Sequence, residues 1–224
     1  MERHLVEQIR IHYDLYVPPN YSKRRKYPLL IGLHGYGGNK DAMMRLMRRI
    51  NETDWLIASV QGPNAFIIPP GHYSKDTKTG FGWAAHYKHE EAVALHHEII
   101  LDLVEDVSAD YSVDKKRLFL LGFSQSVALN YRFIGTYPNY IRGVIGVCGG
   151  IPGDHQRVNY LVADTEVLHI ATDQDEFYPL DRVKTFLPWL EQHALSAELK
   201  IYKDKHTFPR RALSYIRRWI RERI

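Results

Sequence analysis

The chain has 224 residues, 45% of them hydrophobic and 25% charged, which is enough for one α/β domain with a substantial core. A net charge of +4 without an aromatic and basic binding module argues against nucleic acid as a partner, and no apolar run reaches the length of a membrane span. The single cysteine, Cys148, excludes an internal disulfide and fits a reducing compartment.

The start of the chain lacks the apolar stretch of a signal peptide, so we expect a cytoplasmic protein. Residues 4–17 alternate loosely and predict a first antiparallel pair or a single bent strand. The all-apolar run at 28–33 is typical of a strand that is buried on both faces of a parallel sheet. It leads into a glycine-rich turn at 34–38, after which we predict a helix over 41–50 and a strand over 55–60.

A long connection at 61–89 is rich in glycine, proline and aromatic residues and shows little periodicity. Connections of this length in compact domains are usually functional or disordered. Two interpretations of its aromatic side chains stay open, because they either line a pocket or only anchor the loop. These side chains are Phe66, Tyr73, Phe81, Trp83 and Tyr87.

Strands and helices alternate in the rest of the chain. Helical periodicity and short apolar runs predict helices at 91–107, 127–136, 180–194 and 208–223 and strands at 117–123, 143–147, 167–171 and 198–202. Such alternation implies right-handed βαβ units and a mostly parallel central sheet with helices on both faces. There is no internal repeat and no linker, so we expect a single α/β domain over residues 1–224, without a cap domain.

The organising motif lies where the 117–123 strand meets the next helix, at Gly122-Phe123-Ser124-Gln125-Ser126. Small residues two positions on either side of Ser124 are typical of the G-x-S-x-G nucleophile elbow, with Ser126 in place of the second glycine. A turn this tight strains the backbone of its central residue and exposes the hydroxyl above the sheet. The alternative is that Ser124 merely caps the following helix.

A nucleophilic serine needs a base, and the base needs an acid that fixes its tautomer. In folds with a nucleophile elbow the chain order is serine, acid, histidine, each in a loop at the carboxyl end of a strand. Of the twelve histidines, only His193 and His206 come late enough. We predict His206 as the base, because it lies between the last strand and the last helix, whereas His193 ends a helix.

The acid is expected in the loop that follows the 167–171 strand. This loop offers Asp173, Asp175 and Glu176, of which Glu176 is the third choice. Spacing alone does not separate the two aspartates, since either could instead form a turn with its own backbone.

The oxyanion that forms on attack needs two preorganised backbone N–H donors. We expect one from Gln125, which follows the nucleophile, and one from the turn at 34–38, where small residues such as Gly37 let the backbone approach the substrate. A phosphate-binding loop is the alternative for this turn, but the turn has neither a G-x-G-x-x-G pattern nor a G-K-[ST] ending.

The chain resembles an α/β-hydrolase in its glycine-rich turn, its elbow motif and His206, and in Asp175, which lies four residues before Pro179. Within that fold it is similar to the phospholipase/carboxylesterase family that includes the acyl-protein thioesterases, from residue 10 to residue 219. The resemblance implies Asp175 as the acid, Tyr36 and Gln125 as oxyanion donors, and Trp83 as a residue near the acyl pocket.

Three departures from the family pattern are visible. Ser126 replaces the usual glycine, Ala171-Thr172 replaces His-Gly, and Tyr178 replaces a small apolar residue. The last two bear on the pocket and not on the triad, so Tyr178 joins Trp83 and Gly37 as a predicted substrate-binding residue.

The resemblance implies a serine hydrolase that cleaves carboxylic esters of small to medium acyl groups through an acyl-enzyme, with thioesters as a further substrate class. Three alternatives stay open: a feruloyl-like esterase, a peptidase with the same triad, and a catalytically silent binding protein. We predict no cofactor. The pairs His86 with His89 and His96 with His97 lack a third ligand at a recognisable spacing, so no metal is predicted either. A homodimer is left open.

Overall fold

The computed structural model describes residues 3–68, 77–84 and 87–224. In chain order its elements are β1 (Tyr13–Tyr16), β2 (Tyr27–Leu33), α1 (Lys40–Arg48), β3 (Leu56–Val60), β4 (Asn64–Ile68), β5 (Lys78–Gly82), α2 (His89–Asp110), β6 (Val113–Phe123), α3 (Gln125–Thr136), β7 (Gly143–Val147), β8 (Ala163–Thr172), α4 (Leu180–Lys184), α5 (Phe186–His193), β9 (Ala194–Tyr202) and α6 (Ala212–Arg221). The predicted strand at Gly143–Val147 has the predicted bounds, and most other elements lie within a few residues of theirs.

Seven strands form one central sheet in the order β1-β3-β2-β6-β7-β8-β9. In this sheet β1 is antiparallel to β3, and the other pairs of neighbouring strands are parallel. Interior strand residues such as Ile31, Leu120 and Val144 are completely buried, because helices cover both faces. This explains why the strands are continuous apolar runs, and the predicted mostly parallel sheet is confirmed.

The helices pack on opposite faces of the sheet. Helices α1 and α6 cover one face with side chains such as Met47 and Trp219, and α2, α3 and α5 cover the other with side chains such as Val104, Val127 and Leu190. The β7–β8 connection holds only turns, so it forms no cap domain. Within the described ranges, no helix combines the length and the apolar character that crossing a bilayer requires.

The sequence suggested an irregular connection at 61–89, but part of this connection has regular structure. It contains a separate antiparallel pair in which β4 and β5 align from Asn64 opposite Gly82 to Ile68 opposite Lys78. Short strands with glycines and exposed side chains give little periodicity, so the sequence hides them. The amide of Gly37 donates to the Phe81 carbonyl at 2.9 Å, which joins this hairpin to the glycine-rich turn. Tyr73 and His86 lie outside the described residues.

Two other predicted elements differ in extent. Only Tyr13–Tyr16 is a strand within the predicted segment 4–17. The helix predicted over 180–194 is two helices, because Pro188 has no amide hydrogen to offer the Lys184 carbonyl and the first helix ends at that residue.

Candidate active site

The turn between β6 and α3 holds Ser124 in a strained conformation. Its φ of 56° and ψ of −112° are rare for a residue with a side chain, and its amide donates to the Val147 carbonyl at 2.9 Å. A Cβ added to Gly122 would lie 2.7 Å from Asn130 Nδ2 and 3.3 Å from Val127 Cα, so only glycine fits there. Strand β6 therefore leads into a sharp turn of the kind expected for a nucleophile elbow.

Ser126, which stands where the family pattern has glycine, is completely buried. Its hydroxyl donates to the Leu33 carbonyl at 2.8 Å and accepts from the Phe123 amide at 3.1 Å. The Ser126 side chain is therefore accommodated by hydrogen bonds. These bonds tie the elbow to the end of β2.

Three side chains that are distant in sequence form one hydrogen-bonded chain. His206 Nε2 lies 2.9 Å from Ser124 Oγ, and His206 Nδ1 lies 2.8 Å from Asp175 Oδ2. The carboxylate is 5% exposed, and its other oxygen accepts the amides of Phe177 and Tyr178 at 2.9 Å each. With Nδ1–H donating to the acid, Nε2 is free to accept the serine proton.

The competing residues lie elsewhere. Asp173 is exposed and its carboxylate accepts the Asp204 amide at 3.2 Å, and Glu176 is also exposed. His193 ends α5, where its ring stacks on Trp189 with centroids 4.4 Å apart and its Nδ1 bonds the Trp189 carbonyl at 2.8 Å. The structure thus brings Asp175 and His206, and neither alternative, to Ser124.

The predicted oxyanion donors belong to two segments that touch. A Cβ added to Gly35 would lie 3.1 Å from Ser124 Cβ, so the glycine-rich turn lies directly against the elbow. Within the described part of the chain, the backbone amides of Tyr36 and Gln125 have no hydrogen-bond acceptor. Gly37, at a φ of 77°, needs glycine's freedom, and its amide is already bonded to Phe81. Gly37 therefore shapes the turn.

His34 is a residue that the sequence did not single out. Its buried Nε2 accepts from the Gly62 amide and from Gln61 Nε2, both at 2.9 Å, and its Nδ1 bonds the Gly35 carbonyl at 2.8 Å. Burial lowers the pKa of His34 and keeps the ring neutral. The chain order of the triad excluded His34 as the base. Its position at the start of the glycine-rich turn was the signal in the sequence for a supporting role.

Among the described residues, the Trp83 side chain is buried beside the site and does not line the cleft described below. Its indole is 1% exposed and Nε1 donates to the His34 carbonyl at 2.8 Å, beneath the glycine-rich turn. Its backbone amide donates to Gln125 Oε1 at 2.9 Å. Glycines flank Phe81 and let the chain bend there, and the Trp83 ring that follows enters the core. Among the described residues the ring therefore supports the glycine-rich turn from below, and the predicted place of Trp83 near the acyl pocket stays a prediction.

We expect Trp83→Ala to lower kcat/KM for esters of every chain length alike and to reduce the free energy of unfolding by about 3–5 kcal/mol, because a large buried ring is lost. Measurement of kcat/KM from acetate to decanoate esters, beside a denaturant unfolding curve, checks this result. A shift of preference towards long acyl chains at unchanged stability would contradict it.

An open cleft of about 920 Å³ lies beside the elbow, and Tyr36 and Gln125 form part of its lining. The other residues that line it are Ala84, His89, Glu90, Ala128, Leu129, Arg132, Gly153, Asp154, Arg157 and Val158. Gly37, Trp83 and Tyr178 do not line this cleft. Tyr178 instead lies beside the base, with its ring 6.0 Å from that of His206.

Of the two histidine pairs, only His96 with His97 lies wholly within the described residues. His96 and His97 are buried side by side on α2, and burial lowers the pKa of His96 to about 3 and that of His97 to about 4. The one group of three potential ligands within the described ranges is Cys148, Asp175 and His206, two of which belong to the hydrogen-bonded chain described above. His89 lines the cleft.

A family model described as Phospholipase/Carboxylesterase matches residues 20–224. A probable feruloyl esterase C of Aspergillus niger is 30% identical over 153 residues, which cover 66% of this chain and 52% of that protein. A probable carboxylesterase SOBER1-like protein of Arabidopsis thaliana is 26% identical over 116 residues, or 50% of this chain and 44% of the relative. The chain thus spans about half the length of the curated relatives that it matches.

Solved structures share the fold at low sequence identity. Esterase PE8 superposes with a TM-score of 0.76 at 19% identity, covering 96% of this chain and all of the other. A Bacillus cereus carboxylesterase gives a TM-score of 0.72 at 16% identity, with 96% and 95% covered. These likenesses establish an α/β-hydrolase fold.

Proposed function

The chain belongs to the phospholipase/carboxylesterase family, and we propose that it is a serine hydrolase that cleaves carboxylic esters of small to medium acyl groups. The observation that carries this proposal is the continuous hydrogen-bonded chain from Asp175 through His206 to Ser124. Beside it lie the backbone amides of Tyr36 and Gln125, which have no acceptor among the described residues. A family relative used only for binding would have no need of this arrangement.

In the proposed first step, Ser124 Oγ attacks the ester carbonyl carbon while His206 Nε2 takes the hydroxyl proton. The imidazolium that forms is stabilised by Asp175, whose two backbone hydrogen bonds keep its carboxylate in place. His206 then gives its proton to the departing alcohol, and an acyl group remains on Ser124. Water attacks this acyl-enzyme with His206 again as the base, which releases the acid and restores the serine.

The tetrahedral intermediate carries a negative charge on the former carbonyl oxygen. We propose that the amides of Tyr36 and Gln125 bind it. Loss of one such donor costs about 2.7–4 kcal/mol of transition-state stabilisation in other enzymes. The Gln125 side chain contributes to this geometry, because its amide nitrogen donates to the Ala84 carbonyl and its oxygen accepts from the Trp83 amide, both within 2.9 Å. These bonds fix the first residue of α3 against the two residues that follow β5.

A second candidate substrate class, esters of aromatic acids, is favoured by Tyr36. Its ring is 65% exposed in the cleft and stacks on Phe66, with centroids 4.4 Å apart and planes 18° apart. An exposed aromatic face held in place by another ring suits a planar acyl group. Relatives named as feruloyl esterases are consistent with this candidate. Cleavage of thioesters, a cytoplasmic location, a single domain and a homodimer stay predictions from the sequence.

A panel of matched esters tests the proposed function. The purified protein should hydrolyse p-nitrophenyl acetate and butyrate, and methyl hydroxycinnamates if the aromatic class applies. Tyr36→Ala keeps the backbone amide but removes the ring, so we expect up to about a tenfold loss in kcat/KM for aromatic esters and little change for acetate. Tyr36→Phe, the matched control, should keep both. A folded protein that hydrolyses no ester would contradict the proposed function.

A further inference from the structure

The loop that carries His206 is held from beneath by two buried side chains. Thr172 Oγ1 donates to the Lys205 carbonyl at 2.9 Å, and Cys148 Sγ donates to the Thr207 carbonyl at 3.3 Å. These carbonyls belong to the residues directly before and after the base. Thr172 and Cys148 are 0% and 1% exposed, so neither can contact a substrate in the cleft.

Cys148 adopts a conformation that is unfavourable for a residue with a side chain. Its φ is 49°, and among the described residues only Lys88, Ser124 and Cys148 have a positive φ without being glycine. Such strain persists only where the surrounding structure imposes it, and it is concentrated at functional sites. The strained position follows Val147, whose carbonyl accepts the Ser124 amide at 2.9 Å, so Cys148 stands between the elbow and the base.

The thiol is a neutral hydrogen-bond donor in this place. Burial raises the pKa of Cys148 to about 12, and the nearby negative charge of Asp175 adds to the effect. Sγ also lies 3.6 Å from Thr172 Oγ1, so the two side chains form one small group. A protonated thiol can donate to the Thr207 carbonyl, whereas a thiolate could not.

The same end of the sheet also fixes the acid loop to the base loop. The Asp173 amide donates to the Tyr202 carbonyl at 2.9 Å, and the Gln174 amide donates to the Asp204 carbonyl at 3.0 Å. The Asp173 carboxylate in turn accepts the Asp204 amide at 3.2 Å. These bonds hold the backbone before His206, and the Cys148 contact adds a hydrogen bond to the first carbonyl beyond it.

We propose that Cys148 and Thr172 are positioning residues, which hold the carbonyls on either side of His206 and thereby set the imidazole between Asp175 and Ser124. This inference rests on the proposed function, because it concerns the same base. It explains why a side chain is kept at the strained position 148 and why Thr172 stands where relatives in the family pattern have glycine. Displacement of a catalytic group by about 1 Å can cost a hundredfold in rate.

The test compares variants that remove the donor with variants that keep it. Thr172→Val and Cys148→Ala remove one donor each, and we expect kcat for p-nitrophenyl butyrate to fall by about ten- to a hundredfold while KM stays within about twofold. Thr172→Ser keeps the hydroxyl and should retain most of kcat. Thr165→Val is the matched control, because the buried Thr165 hydroxyl also donates to a backbone carbonyl, that of Ile141 at 2.6 Å, but at the other end of the same strand.

The outcomes separate the two proposals. Wild-type kcat in both Cys148→Ala and Thr172→Val would overturn the positioning role. An equal loss of kcat in Thr165→Val would also overturn it, because the loss would then come from reduced stability and not from the position of the base. Neither result would touch the proposed function, which is tested in parallel with Ser124→Ala. Turnover of Ser124→Ala within about tenfold of the wild type would overturn the proposed function itself.

Discussion

Replacement of Ser124 by alanine is expected to lower kcat for ester hydrolysis by about 10⁴- to 10⁶-fold, with a small residual rate above the uncatalysed reaction. The hydroxyl is the proposed nucleophile and contributes little to the core, so the variant should fold normally. The residual rate would come from the amides of Tyr36 and Gln125, which the substitution leaves in place. Steady-state kinetics on p-nitrophenyl butyrate, beside a thermal unfolding curve, measure both properties.

Ser59→Ala is the matched control for that experiment. Ser59 is a buried serine away from the site, and its hydroxyl donates to the Lys40 carbonyl at 2.8 Å on the α1 side of the fold. We expect it to lose some stability and to keep its turnover. If Ser124→Ala kept turnover within about tenfold of the wild type, Ser124 would not be the nucleophile.

Removal of the base should have an effect of similar size. We expect His206→Ala to lower kcat by about 10⁵- to 10⁶-fold, because His206 Nε2 is the one group in the described part of the chain that is hydrogen-bonded to Ser124 Oγ and can take its proton. His193→Ala serves as the control, since that ring stacks on Trp189 at the end of α5. Its turnover should stay close to that of the wild type. Equal losses in the two variants would show that His206 has no special part in the reaction.

Much of the fold could be predicted because the strong signals were local. Buried parallel strands must be apolar along their whole length, so runs such as 28–33 and 143–147 are legible without any knowledge of their neighbours. The β4 and β5 pair gave no such signal, because both strands are short and partly exposed and β5 carries two glycines. Its hydrogen bonds to the glycine-rich turn are set by tertiary contacts that no local pattern encodes.

In the candidate site, too, some residues could be predicted from the sequence alone and others could not. Chain order and loop position were enough to bring forward Ser124 and His206, because an elbow fold restricts where the base can lie. Spacing alone left Asp173 and Asp175 equal, and the family pattern chose between them. The structure gives the physical difference: Asp175 is buried and directed at the base, whereas Asp173 is exposed and bonds the backbone.

The roles of the residues that support the site could not be derived from the sequence alone. Whether Trp83 points into a cleft or into the core depends on how the hairpin docks on the glycine-rich turn, and this contact joins segments that are distant in the chain. His34, Cys148 and Thr172 act through hydrogen bonds to carbonyl groups that lie far from them in sequence or that only the folded turn presents. Side chains of this kind become visible only when the loops have been placed together.

Covalent labelling tests most directly whether Ser124 is an activated nucleophile. The protein would be treated with a fluorophosphonate probe, digested and analysed by mass spectrometry, with His206→Ala and heat-unfolded protein treated in parallel. We expect one phosphonyl adduct per chain, located on Ser124, and almost none in either parallel sample, because the probe needs a serine that is deprotonated by a positioned base. No adduct on the folded wild-type protein, or an adduct on another residue with Ser124 unmodified, would contradict the proposed serine hydrolase.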